Sequence, residues 1–579
     1  MSYSPNRIRL ILFFILAFQC ALIGRLFYLQ IIKHDFYSKR VAAQLQRVIP
    51  LPANRGQILD RNGKILVTDI DSYSLYVHPQ EVKSLPPELA ERIGVPYAVL
   101  QQKLQSRIPF VWIKRHLSSF VKQDLEKMNL TGFGFIPENQ RLFVLTRNAS
   151  HIIGYVGTDH NGLGGIEYKL NKALAGKDGK LLVESDPYGR QIAGGLRLAQ
   201  KPLHGKNVYL TIDLDIQQAL EDALTKGLNR TQSARAMGMV MDSRNGEILA
   251  MSGLPNFDPN EFWKFGEEVR KNPLVGNVYE PGSTFKSITI AAGLNEGIIS
   301  TASVFYCPNQ FEIGGRTIGE AHHHDEGNFT VNQILMESLN VGAAKIGVEI
   351  GPKVLEKYIY AFGFGQTTGV ELPGESPGIV RPEKRWSVPD KAIVAFGQGI
   401  AVTPLQLMTA YTAFLNQGSM VRPTIIKRIE NQDGTVEPGR APVKIPVLSA
   451  ATAESMKDLL VNVVEKGTGI PAQIPGFWIG GKTGTAQKAI PGGRGYMAGR
   501  YVISFIGFLP VSDPKVIILA ILDDPQLEKW GSSGTGPVFN DVARACIKYL
   551  HLTPDRTEEP ALYTVNNQRL PFPALLKKL

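Results

Sequence analysis

Hydrophobic spacing divides the chain into stretches of different character. Leu10 to Gly24 carries no charged residue, and after Arg25 the apolar run resumes to Ile32. Such a run is long enough to cross the hydrocarbon core of a bilayer. No small-x-small cleavage signal follows it, and Gln19 before Cys20 does not suit a lipoprotein signal, so an uncleaved single-pass anchor is expected. Arg7 and Arg9 on one side face Lys33, Lys39 and Arg40 on the other, so charge alone does not orient it.

From about Val41 to Leu228 short apolar runs alternate with turns, which predicts an irregular, mostly-β module without repeats. Asn62-Gly63 marks a hairpin between two short strands, and helical spacing occurs over Tyr168 to Ala175 and about Ile216 to Gly227. Near Ala234 the pattern changes. Met237 to Met241 and Ile248 to Met251 read as strands joined by a turn at Asp242 to Gly246. A mostly helical middle spans about Pro281 to Gln417, and strands return at Phe477 to Thr485, Tyr501 to Leu509 and Val516 to Leu522. A last helix, about Val538 to Leu550, precedes a polar, proline-containing tail expected to lack fixed structure. Neighbouring strands with segregated helices predict an α+β fold, an antiparallel sheet covered by helices. The expected division is 1–33 cytoplasmic stub and transmembrane anchor, 34–232 amino-terminal pedestal, 233–552 α+β domain, and 553–579 tail.

Composition narrows the function without naming it. The net charge of +11 is spread along 579 residues with no basic block, so nucleic acid is not an expected partner. Cys20, Cys307 and Cys546 stand far apart, which implies neither a disulfide framework nor a C-x-x-C metal site. His322-His323-His324 invites a metal reading, but adjacent side chains diverge and no further ligands stand at useful spacing, so a loop and no metal are expected.

Candidate chemistry gathers in three motifs. In Glu280-Pro281-Gly282-Ser283-Thr284-Phe285-Lys286 a Pro-Gly break precedes a helical apolar pattern that runs to Leu294 and can end at Gly297. Ser283 is thus expected in the first helical turn, with Lys286 on the same face one turn on. A lysine made partly neutral by burial could take the serine's proton. Ser119-Phe-Val-Lys122 and Ser512-Asp-Pro-Lys515 share the spacing but lack the Pro-Gly lead-in that would start a helix at the serine. Ser338-Leu339-Asn340 falls in a break between helices, where a hydroxyl and an amide can point the same way. Ser4-Pro-Asn6 and Ser243-Arg-Asn245 match that spacing by chance. Lys482-Thr483-Gly484-Thr485 places a cation and hydroxyls on a strand edge, suited to a ligand carboxylate, with glycine leaving room for a ligand backbone to add as a strand. Gly476 to Thr483 also fits G-x-x-x-x-G-K-[ST], but Phe-Trp-Ile reads as strand and no helix follows, so a phosphate loop is not expected.

In this order Ser283-x-x-Lys286, Ser338-x-Asn340 and Lys482-Thr-Gly484 resemble the three-part signature of penicillin-binding proteins and serine β-lactamases. Arg55-Gly-Gln-Ile-Leu-Asp60-Arg-Asn-Gly63 after an anchor, Gly164-Gly-Ile-Glu167, and Phe396-Gly-Gln-Gly399 with Thr403-Pro404 resemble class B penicillin-binding proteins in particular. Within that class Tyr279 to Lys286 and Ser338 to Gly342 look most like the cell-division member, with the elongation member as alternative; Glu337 stands where the family usually has a second serine.

The resemblance implies a peptidoglycan D,D-transpeptidase that cross-links stem peptides ending in D-alanyl-D-alanine at the division septum and is inhibited by β-lactams. Ser283 would be the nucleophile, Lys286 its base, Ser338 the proton relay and Asn340 the holder of the stem amide. Lys482, Thr483 and Thr485 would face the terminal carboxylate, with Gly484 between them, and the Ser283 and Thr485 amides would form the oxyanion hole. No cofactor is implied. The expected partners are a membrane glycan polymerase and other division proteins, with the bulk outside a bacterial cytoplasmic membrane. A D,D-carboxypeptidase, a β-lactamase and a non-enzymatic scaffold are the alternatives.

Overall fold

The computed structural model describes residues 5–184, 197–321, 323–490, 493, 495–557, 563–565 and 568–570. Two compact units emerge, residues 1–54 with 176–204 and residues 55–175 with 205–579.

In the first unit a helix over Pro5–Phe27 continues as a wider turn over Tyr28–Ile32. The most apolar 18-residue window of these 28 residues has a mean hydropathy of 2.3 and is not buried by other parts of the protein. At about 1.5 Å per residue the full 28 residues exceed the roughly 30 Å of a bilayer core. The unit also holds a three-stranded antiparallel sheet of Gln46–Leu51, Gly179–Glu184 and Arg197–Gln200.

The second unit begins with the hairpin that Asn62-Gly63 signals. Ile58–Leu59 pairs with Ile65–Val77, and Gly63 turns with φ +89°. The sheet continues through Val111–Leu117 and Phe133–Phe143 on one side, and through Asn207–Leu210 and Ile426–Glu430 on the other. Tyr168 to Ala175 forms two short helices, Gly165–Lys169 and Asn171–Leu174, rather than one.

Two strands of this sheet contribute to a buried ionic cluster. Arg55 Nε donates to Glu167 Oε2 at 2.5 Å, Arg141 Nε donates to Glu167 Oε1 at 2.7 Å, and Arg141 also pairs with Asp69 at 3.0 Å. The Glu167 side chain is wholly buried. The resembling Arg-Gly and Gly-Gly-Ile-Glu motifs are therefore two halves of one contact. Removing one member of a buried pair strands the other charge and costs about 3–5 kcal/mol. Glu167→Ala is expected to destabilise the full-length protein by that amount, read as faster amide exchange across residues 55–175; a loss below about 1 kcal/mol would make the cluster incidental.

The elements that carry the candidate site are α1 (Leu214–Thr231), β1 (Arg235–Asp242), β2 (Ile248–Leu254), α2 (Lys286–Asn295), α3 (Val331–Glu337), α4 (Asn340–Ile350), α5 (Pro404–Leu415), α6 (Ala450–Lys466), β3 (Gly480–Ala489), β4 (Tyr496–Leu509), β5 (Val516–Asp523) and α7 (Gly531–Tyr549). The strands form one antiparallel sheet in the order β2-β1-β5-β4-β3, with β3 at the edge. Both faces are covered, which explains apolar runs instead of alternation. Met237, Met239, Met241, Ile517, Leu519 and Ile521 face the helical middle, whereas Val240, Ile518 and Leu522 face α1 and α7. Fully burying a side chain of that size contributes about 1.5–3 kcal/mol.

Three expectations need correction. The mostly helical middle also holds strands that were not expected: Val304–Cys307 pairs with Gly327–Thr330, and Gln310–Ile313 with Arg316–Gly319, making a small β lobe. The first residues of the tail are tied down, since Asp555 accepts the amides of Trp478, Val511 and Ser512, and Arg556 pairs with Glu465 at 2.8 Å, and Tyr563–Val565 pairs with Gln568–Leu570 further on. Ser119 does begin a helix, Ser119–Glu126, capped by Ser118. Its partner Lys122 is engaged by Glu126 at 2.7 Å, so the pair still has no site around it.

Candidate active site

The turn into α2 is shaped by close backbone contacts. Gly282 takes φ +57° and donates its amide to Gly397 O at 3.1 Å. A Cβ on Gly397 would lie 2.3 Å from Gly282 O, so only glycine fits there. Gly399 N donates to Glu280 Oε1 at 2.9 Å, and Thr284 Oγ1 donates to Pro281 O at 2.8 Å. Tyr411 on α5 donates from below to Thr284 O at 2.6 Å. Held in this way, Ser283 occupies a 3₁₀ turn, Gly282–Phe285, that runs directly into α2 at Lys286.

Thr330 and Gln333 form a capping box that starts α3, and Ser338 ends it in the left-handed conformation, φ 64° and ψ 37°. For a residue with a Cβ this costs about 1–2 kcal/mol. The break turns the Ser338 carbonyl and hydroxyl toward the buried lysines. Lys286 Nζ donates to Ser338 O at 2.5 Å, Asn340 Oδ1 at 2.8 Å and Ser338 Oγ at 3.4 Å. Lys482 Nζ, on β3, donates to the same Ser338 Oγ at 2.8 Å. One hydroxyl thus joins two amines.

Both amines lie in the interior. Lys286 and Lys482 are fully buried. Burial lowers the Lys286 amine from its usual range to about 7, against the opposing pull of the Glu320 carboxylate. Burial also drives Lys482 well below the ordinary lysine range, and the neighbouring Lys286 adds to the effect. Desolvation favours the neutral form of an amine, the form able to accept a proton.

Ser283, Ser338, Asn340, Thr483 and Thr485 line one cavity of about 260 Å³, with Lys286 and Lys482 meeting beneath Ser338. Gly484 has a different task from the one expected. A Cβ there would lie 2.4 Å from Ser504 Oγ on β4 and 3.0 Å from Thr284 Cγ2, so glycine makes room for the paired strand first and for the serine turn second. Thr485 Oγ1 accepts the amide of Gly531, which brings the start of α7 to the cavity wall. Residues 480–489 pair with β4, so Lys482-Thr483 lies in a ladder and not in a phosphate loop.

Several lining residues escaped the sequence reading: Glu320, Thr468, whose hydroxyl lies 2.8 Å from that of Thr483, and Trp530 with Gly531 and Ser532. Only the Gly-Ser-Ser-Gly stretch that opens α7 offered a signal, and its composition reads as loop. His323 and His324 line the cavity too, while His322 lies outside the described residues. Among the described residues no group of three or more His, Cys, Asp or Glu side chains is placed to hold a metal ion.

Comparison with known proteins agrees with this geometry. Residues 236–544 match the penicillin binding protein transpeptidase domain, and residues 50–210 match the penicillin-binding protein dimerisation domain. The chain belongs to the class B penicillin-binding proteins. It is 30% identical to the Probable peptidoglycan D,D-transpeptidase PenA of Neisseria meningitidis serogroup B, over 96% of this chain and 94% of that one. It is 31% identical to the penicillin-binding protein PbpB of Mycobacterium tuberculosis, over 93% and 83% of the two chains. The crystal structure of penicillin binding protein 3 from M. tuberculosis in complex with aztreonam superposes with a TM-score of 0.70 at 28% identity, covering 88% of this chain and 98% of that one. As a class B penicillin-binding protein this chain is a peptidoglycan D,D-transpeptidase.

Proposed function

We propose that this transpeptidase cross-links stem peptides at the division septum, with Ser283 as its acylated nucleophile. The observation that carries the site assignment is the Ser338 hydroxyl, bonded to both buried lysines in the cavity that Ser283 lines. Ser283 Oγ attacks the carbonyl of the penultimate D-alanine and gives its proton to neutral Lys286. The Ser283 and Thr485 amides hold the oxyanion, each such donor being worth about 2.7–4 kcal/mol of barrier. The bond to the terminal D-alanine then breaks, and its amine takes a proton delivered through Ser338. Asn340 orients the stem amide, and Lys482, Thr483 and Thr485 face the terminal carboxylate, with Gly484 letting the serine turn pack against their strand. The amine of a neighbouring stem resolves the ester.

The edge position of β3 supports a substrate bound as an added strand. The uncovered apolar helix at 5–32 supports anchoring in the cytoplasmic membrane, with the α+β domain on the outer side where the substrate lies. In this reading 1–33 is stub and anchor, 34–232 the pedestal, 233–552 the transpeptidase domain and 553–579 the tail. α1, inside the pedestal range, packs on the transpeptidase sheet. The septal role rests on the resemblance of residues 279–286 and 338–342 to the division type, with a membrane glycan polymerase and other division proteins as the expected partners.

Depletion in the source bacterium decides between the two cellular roles. The septal reading expects filaments without septa and a fluorescent fusion that gathers at mid-cell. Round, dividing cells would overturn it in favour of elongation. For the reaction, purified full-length protein supplied with a pentapeptide donor and a free stem amine is expected to release D-alanine in proportion to dimer formed; release without dimer would make it a carboxypeptidase.

A further inference from the structure

The cavity contains a carboxylate to which the mechanism above gives no task. Glu320 follows the strand Arg316–Gly319 of the small β lobe, and its side chain is only 4% exposed. Its Oε2 accepts the amide of Asn340 at 2.6 Å and its Oε1 the amide of Val341 at 2.8 Å. These are the first two amides of α4, which have no acceptor within the helix, and a carboxylate there also meets the positive end of the helix dipole. The residue before it takes part as well, since Gly319 O accepts Asn340 Nδ2 at 3.1 Å. Asn340 is thereby gripped through backbone and side chain by one segment, with its Oδ1 left to Lys286 Nζ at 2.8 Å.

The charges around this point are unevenly matched. Lys286 on α2 and Lys482 on β3 are both buried, and the charge on Lys286 raises the cost of charging Lys482. Glu320 is the carboxylate that acts on Lys286. On its far side stands His324, whose Nε2 is 3.8 Å from Glu320 Oε1, while Glu337 lies at the exposed end of α3.

We propose that Glu320 is a positioning residue of the acyl-transfer centre: it fixes Ser338 to Asn340 against Lys286, and its charge keeps that amine basic enough to take the serine's proton. The inference rests on the assignment of Ser283 and Lys286 given above. Without the carboxylate, two neighbouring buried amines would both be driven further toward neutrality, and a weaker base is a poorer proton acceptor in the transition state. A cap with no electrostatic task would behave differently. Its loss would slow acylation equally at every pH.

The test is the pH dependence of acylation by a fluorescent penicillin, measured on detergent-solubilised full-length wild type, Glu320→Gln and Glu320→Asp, with thermal midpoints alongside. Glu320→Gln keeps an acceptor oxygen but loses the charge. Its acid limb is expected to move about one pH unit lower, with a plateau on the order of tenfold to a hundredfold below wild type. Glu320→Asp keeps the charge but cannot reach both amides, so its plateau falls while its limb stays in place. An unmoved limb in Glu320→Gln overturns the proposal. Should that variant not fold, Glu320→Asp tests the positioning half: a lowered plateau with the limb in place supports the grip on Asn340 and Val341, and a wild-type plateau overturns the proposal. A penicillin adduct that persists in Ser283→Ala would instead overturn the site assignment, so the two failures are distinguishable.

Discussion

Replacing Ser283 with alanine is expected to abolish covalent labelling of the full-length protein by a fluorescent penicillin, the acylation rate falling by about six orders of magnitude. The size follows from how the group is built. Ser283 sits in a turn held by Gly397, Glu280 and Tyr411, and lines the cavity in which Ser338 bonds to both buried lysines, the proposed base and relay. Members of such a unit do not contribute additively: without the nucleophile, base and relay have no proton to move. Alanine removes one half-buried oxygen and leaves the turn's backbone contacts in place, so the variant should keep the wild-type melting temperature. Labelling is read by fluorescence after denaturing electrophoresis, with intact-mass spectrometry locating the adduct. An adduct retained by Ser283→Ala would move the nucleophile elsewhere, and Ser338 would be the residue to test next.

The separation between what the residues revealed and what they concealed has a physical pattern. Ser283, Ser338 and Lys482 could be picked out because each motif sits on or beside an element with a local signal: a Pro-Gly turn, a break between helices, and a strand, Gly480–Ala489, that begins just after the apolar Phe477-Trp-Ile. The sheet was legible because strands covered on both faces must be apolar throughout. The β lobe at 304–330 was not, because its strands are four residues long and largely exposed, so little apolar alternation remains to be read. Glu320 was lost with it. The first turns of α7 were hidden for another reason. Gly531-Ser-Ser-Gly-Thr-Gly-Pro537 has poor helix propensity, yet a Cβ at Gly531 would lie 2.6 Å from Gly484 O, so close packing on the active-site strand overrides propensity there. The strand pairing of Asn207–Leu210 with Ile426–Glu430 joins segments distant in sequence and leaves no local trace.

Lys286→Met is expected to lower acylation by a factor between about 10⁴, the upper range for a general base, and about 10⁶, the loss when one member of a catalytic unit is removed. Methionine is close to lysine in length and suits a site with no exposure, so the fold should survive. What disappears is a proton acceptor. In the wild type the amine is held at about 7 by burial, with Glu320 opposing. Below that pH the folded protein carries Lys286 as an ammonium that cannot accept the serine's proton; above it the neutral amine can. Wild-type acylation should therefore rise about tenfold per pH unit up to near pH 7 and then level off, whereas the residual rate of Lys286→Met should not follow that limb. Lys482 sharpens the reading, because a charged Lys286 drives it toward neutrality, and Ser338 Oγ, 3.4 Å from one amine and 2.8 Å from the other, stands where the proposed relay would pass a proton from Lys286 toward the leaving amine. Rates measured from pH 5 to 9 would sink the assignment if the methionine variant retained more than about 1% of wild-type acylation or kept the same limb, since the base would then have to be Lys482 acting through Ser338.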